Sequence, residues 1–203
     1  MIAIVNYNSS NLTSVKNALD FLRHDSVITS DPREIAKADK IILPGVGAFG
    51  YGMENLKKWG LEEVLTEQVI KNKKPFLGIC LGMQLICKKS YEEGEFQGLG
   101  WIDGEVVRFN LEDKKLPVPH VGWNNVACNP ASPIFKDTNP QQTFYFVHSY
   151  YCDVKNRDLV TGWCDYGIMF PAALQKDNIY AVQFHPEKSQ TEGLEILRKF
   201  AEL

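Results

Sequence analysis

The sequence predicts an α/β fold built on a mostly parallel sheet, and three observations predict it. Short apolar runs alternate with amphipathic segments through the first half of the chain, the pattern of βαβ units. One run, Phe76-Leu77-Gly78-Ile79, passes directly into a glycine-bracketed cysteine, the setting of a strand-to-helix turn. Beyond about Gly104 the texture changes to β-branched and aromatic runs separated by Gly, Asn, Asp and Pro, which predicts mixed or antiparallel strands.

Ile2-Ala3-Ile4-Val5 reads as a buried strand, and Leu12, Val15, Ala18, Leu19 and Leu22 recur at helical spacing to give one apolar stripe. Val27-Ile28 is a short second strand. Asp31-Pro32-Arg33-Glu34 supplies an N-cap acceptor, a proline whose missing N–H costs nothing at a helix start, and a glutamate spaced to reach back. Ile41-Ile42-Leu43 is a third strand, ended by the sharp turn Pro44-Gly45-Val46-Gly47. Leu61, Val64, Leu65, Val69 and Ile70 mark a helix, and Leu81, Leu85 and Ile86 form the buried side of the helix after Cys80. Later strands are expected at residues 105–109, 143–147, 150–154, 159–164 and 179–184. A last helix starts near Ser189, where Ser189 and Glu192 have capping-box spacing, and buries Leu194, Leu197 and Ala201. No composition shift marks a linker and no internal repeat is visible, so residues 1–203 read as one domain.

Composition narrows the function. With 203 residues, 44% of them hydrophobic, the chain can bury a core without disulfides or a metal staple, and its five cysteines read as separate thiols. The net charge of -3 leaves no basic footprint for nucleic acid; Lys71, Lys73 and Lys74 read as a solvated helix end. There is no signal-peptide pattern and no apolar run long enough to span a bilayer, so a reducing, cytoplasmic location is expected. A metal centre is not expected, because no C-x-x-C occurs and His24, His120, His148 and His185 are scattered.

Gly78-Ile79-Cys80-Leu81-Gly82 has the spacing of a nucleophile elbow. Small residues on either side let the turn close, lift Cys80 from the sheet, and aim helix N–H groups at its sulfur, which favours thiolate. The N–H of Leu81 and the turn at residues 44–47 are then available as oxyanion donors. Buried, inert cysteine is the competing reading, and the one preferred for Cys87, Cys128, Cys152 and Cys164. His185-Pro186-Glu187 follows the strand Ala181-Val182-Gln183-Phe184, with the proline stiffening the corner. A thiol attacking an amide needs a base to take its proton and return it to the departing amine, and a carboxylate to orient that base. Alone, His-Pro-Glu reads more readily as a turn with surface charges. Together with Cys80 it gains weight, because active groups in open α/β folds gather at the carboxyl ends of strands.

The motifs Pro44-Gly45-Val46-Gly47-Ala48-Phe49, Gly78-Ile79-Cys80-Leu81-Gly82-Met83-Gln84-Leu85, Pro119-His120-Val121-Gly122-Trp123-Asn124, Phe146-Val147-His148-Ser149-Tyr150-Tyr151 and Phe184-His185-Pro186-Glu187-Lys188-Ser189 occur in that order. In them the chain resembles the class I (triad) glutamine amidotransferases, and within these the glutaminase subunits of imidazole glycerol phosphate synthase. The resemblance covers nearly the whole chain. It implies a flavodoxin-like fold, a central mostly parallel sheet flanked by helices with a mixed or antiparallel C-terminal extension. It implies a Cys80, His185, Glu187 triad that forms a glutamyl thioester from L-glutamine, releases ammonia, and hydrolyses the thioester with water; no cofactor is required. Gln84, Glu92 and backbone groups of Ser149 and Tyr150 match positions that hold the substrate's amino-acid portion. Gly47 matches a substrate contact, and the peptide around Val46 matches an oxyanion donor that rotates into place.

The same resemblance implies a heterodimer, a hydrolase serving a lyase, whose (β/α)8-barrel cyclase joins the ammonia to a phosphorylated ribulosyl aminoimidazole carboxamide derivative in histidine biosynthesis. Asn11, Trp123, Tyr145 and Lys188 match or adjoin its partner-facing motifs, and His120 and His148 read as hydrogen-bonded structural or interface residues. One segment departs from the family. The early pattern Y-G-x-G-N-L-x-S is Tyr7-Asn8-Ser9-Ser10-Asn11-Leu12-Thr13-Ser14 here, with Asn8 and Ser10 in place of glycines. That departure motivates an alternative, the same chemistry serving a synthase that aminates or amidinates a nucleotide-sugar precursor of a surface polysaccharide. A catalytically silent scaffold is the alternative of another class, set against an intact triad.

Overall fold

The apolar N-terminal run has a side chain to bury on each face, and the fold covers both. The computed structural model describes residues 1–203, the side chain of Glu112 excepted. In chain order the strands and helices are β1 (Ile2–Val5), α1 (Leu12–Phe21), β2 (Ser26–Thr29), α2 (Pro32–Lys37), β3 (Lys40–Leu43), α3 (Phe49–Lys58) and α4 (Leu61–Thr66), which runs on as a π turn, Glu67–Lys71. Then come β4 (Phe76–Ile79), α5 (Leu81–Leu85), β5 (Cys87–Ser90), β6 (Phe96–Gln97), β7 (Ile102–Arg108), β8 (His120–Cys128) and β9 (Gln141–His148). The chain closes with β10 (Tyr150–Val154), β11 (Val160–Asp165), β12 (Met169–Lys176), β13 (Ile179–Val182) and α6 (Gln190–Glu202).

Nine strands form one sheet in the order β2-β1-β3-β4-β13-β12-β11-β8-β9. The first five in that order are parallel, and from β13 outward each pairing is antiparallel. A second sheet, β10-β7-β5-β6, packs beside it. Alternation along β1 sorts the core into two layers. Ala3 and Val5 join Ile35, Leu56 and Leu65 from α2, α3 and α4 on one face, while Ile2 and Ile4 join Val15 and Leu19 of α1 and Leu197 and Phe200 of α6 on the other. Among the described residues no helix is long and apolar enough to cross a membrane.

Several local expectations are corrected. The strand expected at 179–184 belongs with the parallel set, because β13 inserts beside β4 in the centre of the large sheet. Helix α3 was not anticipated; Gly50 and Gly52 within it leave room for the Phe96 ring and for Leu85 and Leu81, which a Cβ would meet at 2.7, 3.2 and 3.3 Å. Asp31 caps α2 as expected, its Oδ1 accepting from Arg33 N at 2.8 Å. Its own N–H goes to the Thr29 hydroxyl at 3.0 Å, the donor that Glu34 was spaced to satisfy. At α6 the capping box does not form, because the Ser189 hydroxyl is spent elsewhere. Of the residues expected to be buried in α6, Leu197 is, and Leu194 and Ala201 are partly covered.

Candidate active site

The register between β4 and β13 builds the site. Val182 lies opposite Ile79, so both strands end on the same rim, and Cys80 N donates to Val182 O at 2.8 Å across the pair. The segments leaving the two strands therefore emerge side by side, Cys80 from one and Gln183 to Glu187 from the other.

Cys80 has φ 52° and ψ -105°, outside the regions ordinary residues prefer, at a cost of about 1–3 kcal/mol. The turn is possible because its two flanking glycines lack Cβ atoms. A Cβ on Gly82 would lie 1.8 Å from Leu43 O, and one on Gly78 would lie 2.8 Å from the Gly82 carbonyl. The thiol is almost wholly covered and borders a cavity of about 340 Å³, within the usual range for small-ligand sites. Val46, Gly47, Leu81, Gln84, Glu92, His148, Ser149, Tyr150 and Lys188 share its wall with Cys80.

His185 and Glu187 are both fully buried in their side chains, and His185 Nδ1 donates to Glu187 Oε1 at 2.7 Å. Among the described residues His185 Nε2 has no hydrogen-bond partner. Burial alone would push the imidazole towards neutrality, but Cys80 and Glu187 outweigh it and raise its pKa from 6.5 to about 10. The corner is pinned from outside: Ser189 Oγ donates to His185 O at 2.6 Å and accepts from Tyr145 N at 3.0 Å, and His185 N donates to Tyr145 O at 2.9 Å. Such an arrangement can take a proton from a thiol and hand it to a leaving group.

The two N–H groups expected to serve as oxyanion donors are not free. Leu81 N, expected to be available at the helix start, donates to Gly45 O at 3.3 Å, and Val46 N donates to Ser9 Oγ at 3.3 Å. The expectation failed at Leu81 because it treated a helix start as an open end. Here the turn at residues 44–47 lies against that end, and its carbonyl takes the N–H. The turn also packs against Tyr7, where a Cβ on Gly45 would meet the hydroxyl at 1.9 Å.

The remaining expected residues divide. Gln84 is buried rather than solvated, its Nε2 donating to Tyr150 O at 3.0 Å and to Gln183 Oε1 at 3.2 Å. Glu92 borders the cavity, but its Oε2 accepts from Phe49 N at 2.6 Å and so caps α3, which has no cap of its own. Asn11, expected on the partner-facing surface, turns its side-chain amide inward to Glu187 Oε1 at 2.5 Å. Trp123, Tyr145 and Lys188 form one surface cluster, with the Trp123 and Tyr145 ring centroids 6.0 Å apart and Lys188 Nζ 5.9 Å from the Tyr145 ring. Two contributors escaped the sequence reading. Gln183 is fully buried, and its Nε2 lies 3.7 Å from Cys80 Sγ; a lone glutamine inside an apolar strand was the signal that could have found it. Ser9 had no such signal. Among the described residues no group of His, Cys, Asp and Glu converges to hold a metal ion.

Known proteins resemble the chain over its whole length. The family model for class-I glutamine amidotransferases matches residues 3–203. Imidazole glycerol phosphate synthase subunit HisH 1 of Campylobacter jejuni is 48% identical over 203 residues, with both chains covered completely. The HisH subunit of Geobacter sulfurreducens is 44% identical, covering all of this chain and 98% of its own. Among solved structures, a glutamine amidotransferase superposes with a TM-score of 0.76 at 18% identity, covering 100% of this chain and 98% of its own, a likeness of fold. The chain belongs to the class-I glutamine amidotransferases, in the group that contains the HisH subunits of imidazole glycerol phosphate synthase.

Proposed function

We propose that the chain is the glutaminase subunit of imidazole glycerol phosphate synthase in histidine biosynthesis, acting as one domain over residues 1–203, with Cys80, His185 and Glu187 as its catalytic triad. The observation that carries the assignment of roles is the parallel β4–β13 register, which sets Cys80 and the His185–Glu187 pair on one rim. The pathway rests on full-length relatives bearing that name at 43% to 48% identity.

Glutamine binds with its side-chain amide against Cys80 and its amino-acid end among Gln84, Glu92, Gly47, Ser149 and Tyr150. The proton shared by Cys80 and His185 is held on Nε2 of the ring, whose pKa its Cys80 and Glu187 neighbours raise to about 10, as sulfur attacks the amide carbon. The C–N bond breaks, the same proton leaves with ammonia, and a glutamyl thioester remains. Water then attacks the thioester with His185 again taking a proton, which returns to sulfur as glutamate departs. Glu187 holds the ring in the tautomer this requires.

Both backbone donors that would stabilise the oxyanion are engaged, by Gly45 and Ser9. The isolated chain is therefore a slow glutaminase. Docking of a (β/α)8-barrel cyclase over Trp123, Tyr145 and Lys188 shifts the turn at residues 44–47 and releases the Val46 peptide. Ammonia made in response passes to that partner without escaping. Work in a reducing, cytoplasmic compartment agrees with five unpaired thiols.

The reading is tested by assaying glutamine hydrolysis of the chain alone and with a barrel cyclase, and by rescue of a histidine auxotroph lacking this subunit. Stimulation by the cyclase and rescue are expected. Failure of both with well-folded protein would overturn the assignment.

A further inference from the structure

Two buried histidines outside the triad lie at the substrate cavity without a role in bond breaking. His148 borders the cavity, and His120 lies behind it. His120 Nδ1 and His148 Nε2 are 3.1 Å apart, and His148 Nδ1 lies 2.8 Å from Tyr150 O.

The carbonyl fixes where every hydrogen in this chain must be. A carbonyl only accepts, so His148 Nδ1 carries the hydrogen and donates to Tyr150 O. Burial pushes the His148 pKa down to about 3, the Tyr150 bond only partly offsetting it, so the neutral ring has a bare Nε2. That nitrogen must accept from His120 Nδ1–H. His120 is held neutral too, burial lowering it to about 4, so its Nε2 is bare and faces the Asn124 amide at 3.5 Å. Asn124 is oriented to donate, since the same Nδ2 donates to Asp165 O at 3.0 Å and its Oδ1 accepts from Asn125 N at 2.8 Å. The direction is the same at every link, from Asn124 through His120 and His148 to Tyr150.

The rings are also held mechanically. His120 stacks between Tyr166 and Phe146 at centroid distances of 3.9 and 4.8 Å, and Phe109 and Phe170 press on His148 at 5.2 and 5.3 Å. At the far end, Tyr150 O also accepts from Gln84 Nε2, whose other contact, Gln183, reaches Cys80 Sγ.

We propose that His148 and His120 are positioning residues for the glutamine site, a one-way hydrogen-bond relay that fixes the Tyr150 carbonyl and, through it, the Gln84 amide. The inference rests on the glutamine reading of this cavity for its effect on substrate, and on local geometry alone for the relay. Its consequence is for substrate capture more than for bond breaking, because neither ring touches Cys80 or the amide carbon.

Two measurements test it. In the unsubstituted chain, nitrogen-15 NMR of the histidine rings at neutral pH is expected to show both His120 and His148 as neutral Nδ1–H tautomers; an Nε2–H tautomer on either ring would overturn the relay. In steady-state glutaminase assays, His148→Phe, which keeps a ring but no donor, is expected to raise KM for L-glutamine roughly tenfold with kcat changed much less. His148→Asn, whose amide can still donate to Tyr150 O, is expected to recover most of that loss. An unchanged KM in His148→Phe, or equal losses in both variants, would overturn the positioning role. Absence of glutamine hydrolysis in the unsubstituted chain, with or without cyclase, would instead remove the glutamine reading and the effect on substrate with it, while the ring tautomers still decide the relay.

Discussion

The Val46 amide donates to the Ser9 hydroxyl at 3.3 Å, a contact between the turn beside the nucleophile and the segment that departs from its family's pattern. Ser9 is held in turn by its neighbours, its hydroxyl donating to Ser10 O at 3.4 Å. A side chain, rather than a covalent feature of the backbone, therefore restrains the donor assigned to the proposed thioester chemistry. That makes the restraint removable by one substitution.

Ser9→Ala is expected to raise the glutaminase rate of the isolated chain by about fivefold, the worth of one net hydrogen bond of about 1 kcal/mol. The cyclase-stimulated rate should stay the same if, as proposed, docking of the partner releases this bond. Assays of the two proteins with and without cyclase decide the matter, and an unchanged basal rate would show that Ser9 restrains nothing.

The Glu187–His185 pair gives a prediction with a pH signature. The folded-state pKa of His185 lies above its ordinary 6.5, so the stability the ring contributes is full below pH 6.5 and is lost as pH rises through about 10. Removing the carboxylate in Glu187→Gln lowers that folded-state pKa. The stability gap between the wild type and the variant should therefore be widest near pH 6 and narrow steadily to pH 10, as read by urea denaturation. Glutamine turnover should fall by about three to four orders of magnitude at neutral pH, the loss expected when a buried base loses its orienting acid. A gap that stays constant or widens with pH would contradict the assigned coupling.

Gly82→Ala tests the elbow. Its new Cβ would lie 1.8 Å from Leu43 O, a backbone atom of a central strand that cannot give way cheaply. A loss of roughly 3 kcal/mol or more in thermal or chemical denaturation is expected, from overpacking against backbone. Glutaminase activity should disappear with it, and wild-type stability and activity in this variant would show that the turn is not as tight as described.

How far the fold and site could be read in advance depended on whether a residue's role was local. The buried strands β1, β3 and β4 announce themselves because parallel central strands are apolar throughout, and Cys80 because glycines must bracket so tight a turn. Strand β8 did not, since Asn124 and Asn125 interrupt its pattern to bond Asp165 O and the Thr143 hydroxyl on neighbouring chain segments. Strand β12 was hidden by Pro171, tolerated opposite Trp163 where the register with β11 is already irregular. At the site, His185 and Glu187 were legible from a three-residue motif. Ser9, Gln183, and the outward bonds of Ser189 were not, because their partners lie far away in sequence.

The central claim is that Cys80 is the nucleophile. The most direct measurement compares glutamate release by the wild type and Cys80→Ala in complex with the cyclase, alongside the ammonia-dependent reaction of the same complexes. The account predicts no detectable glutamine hydrolysis by Cys80→Ala and an unimpaired ammonia-dependent rate. Sustained glutamine hydrolysis by the variant would contradict it.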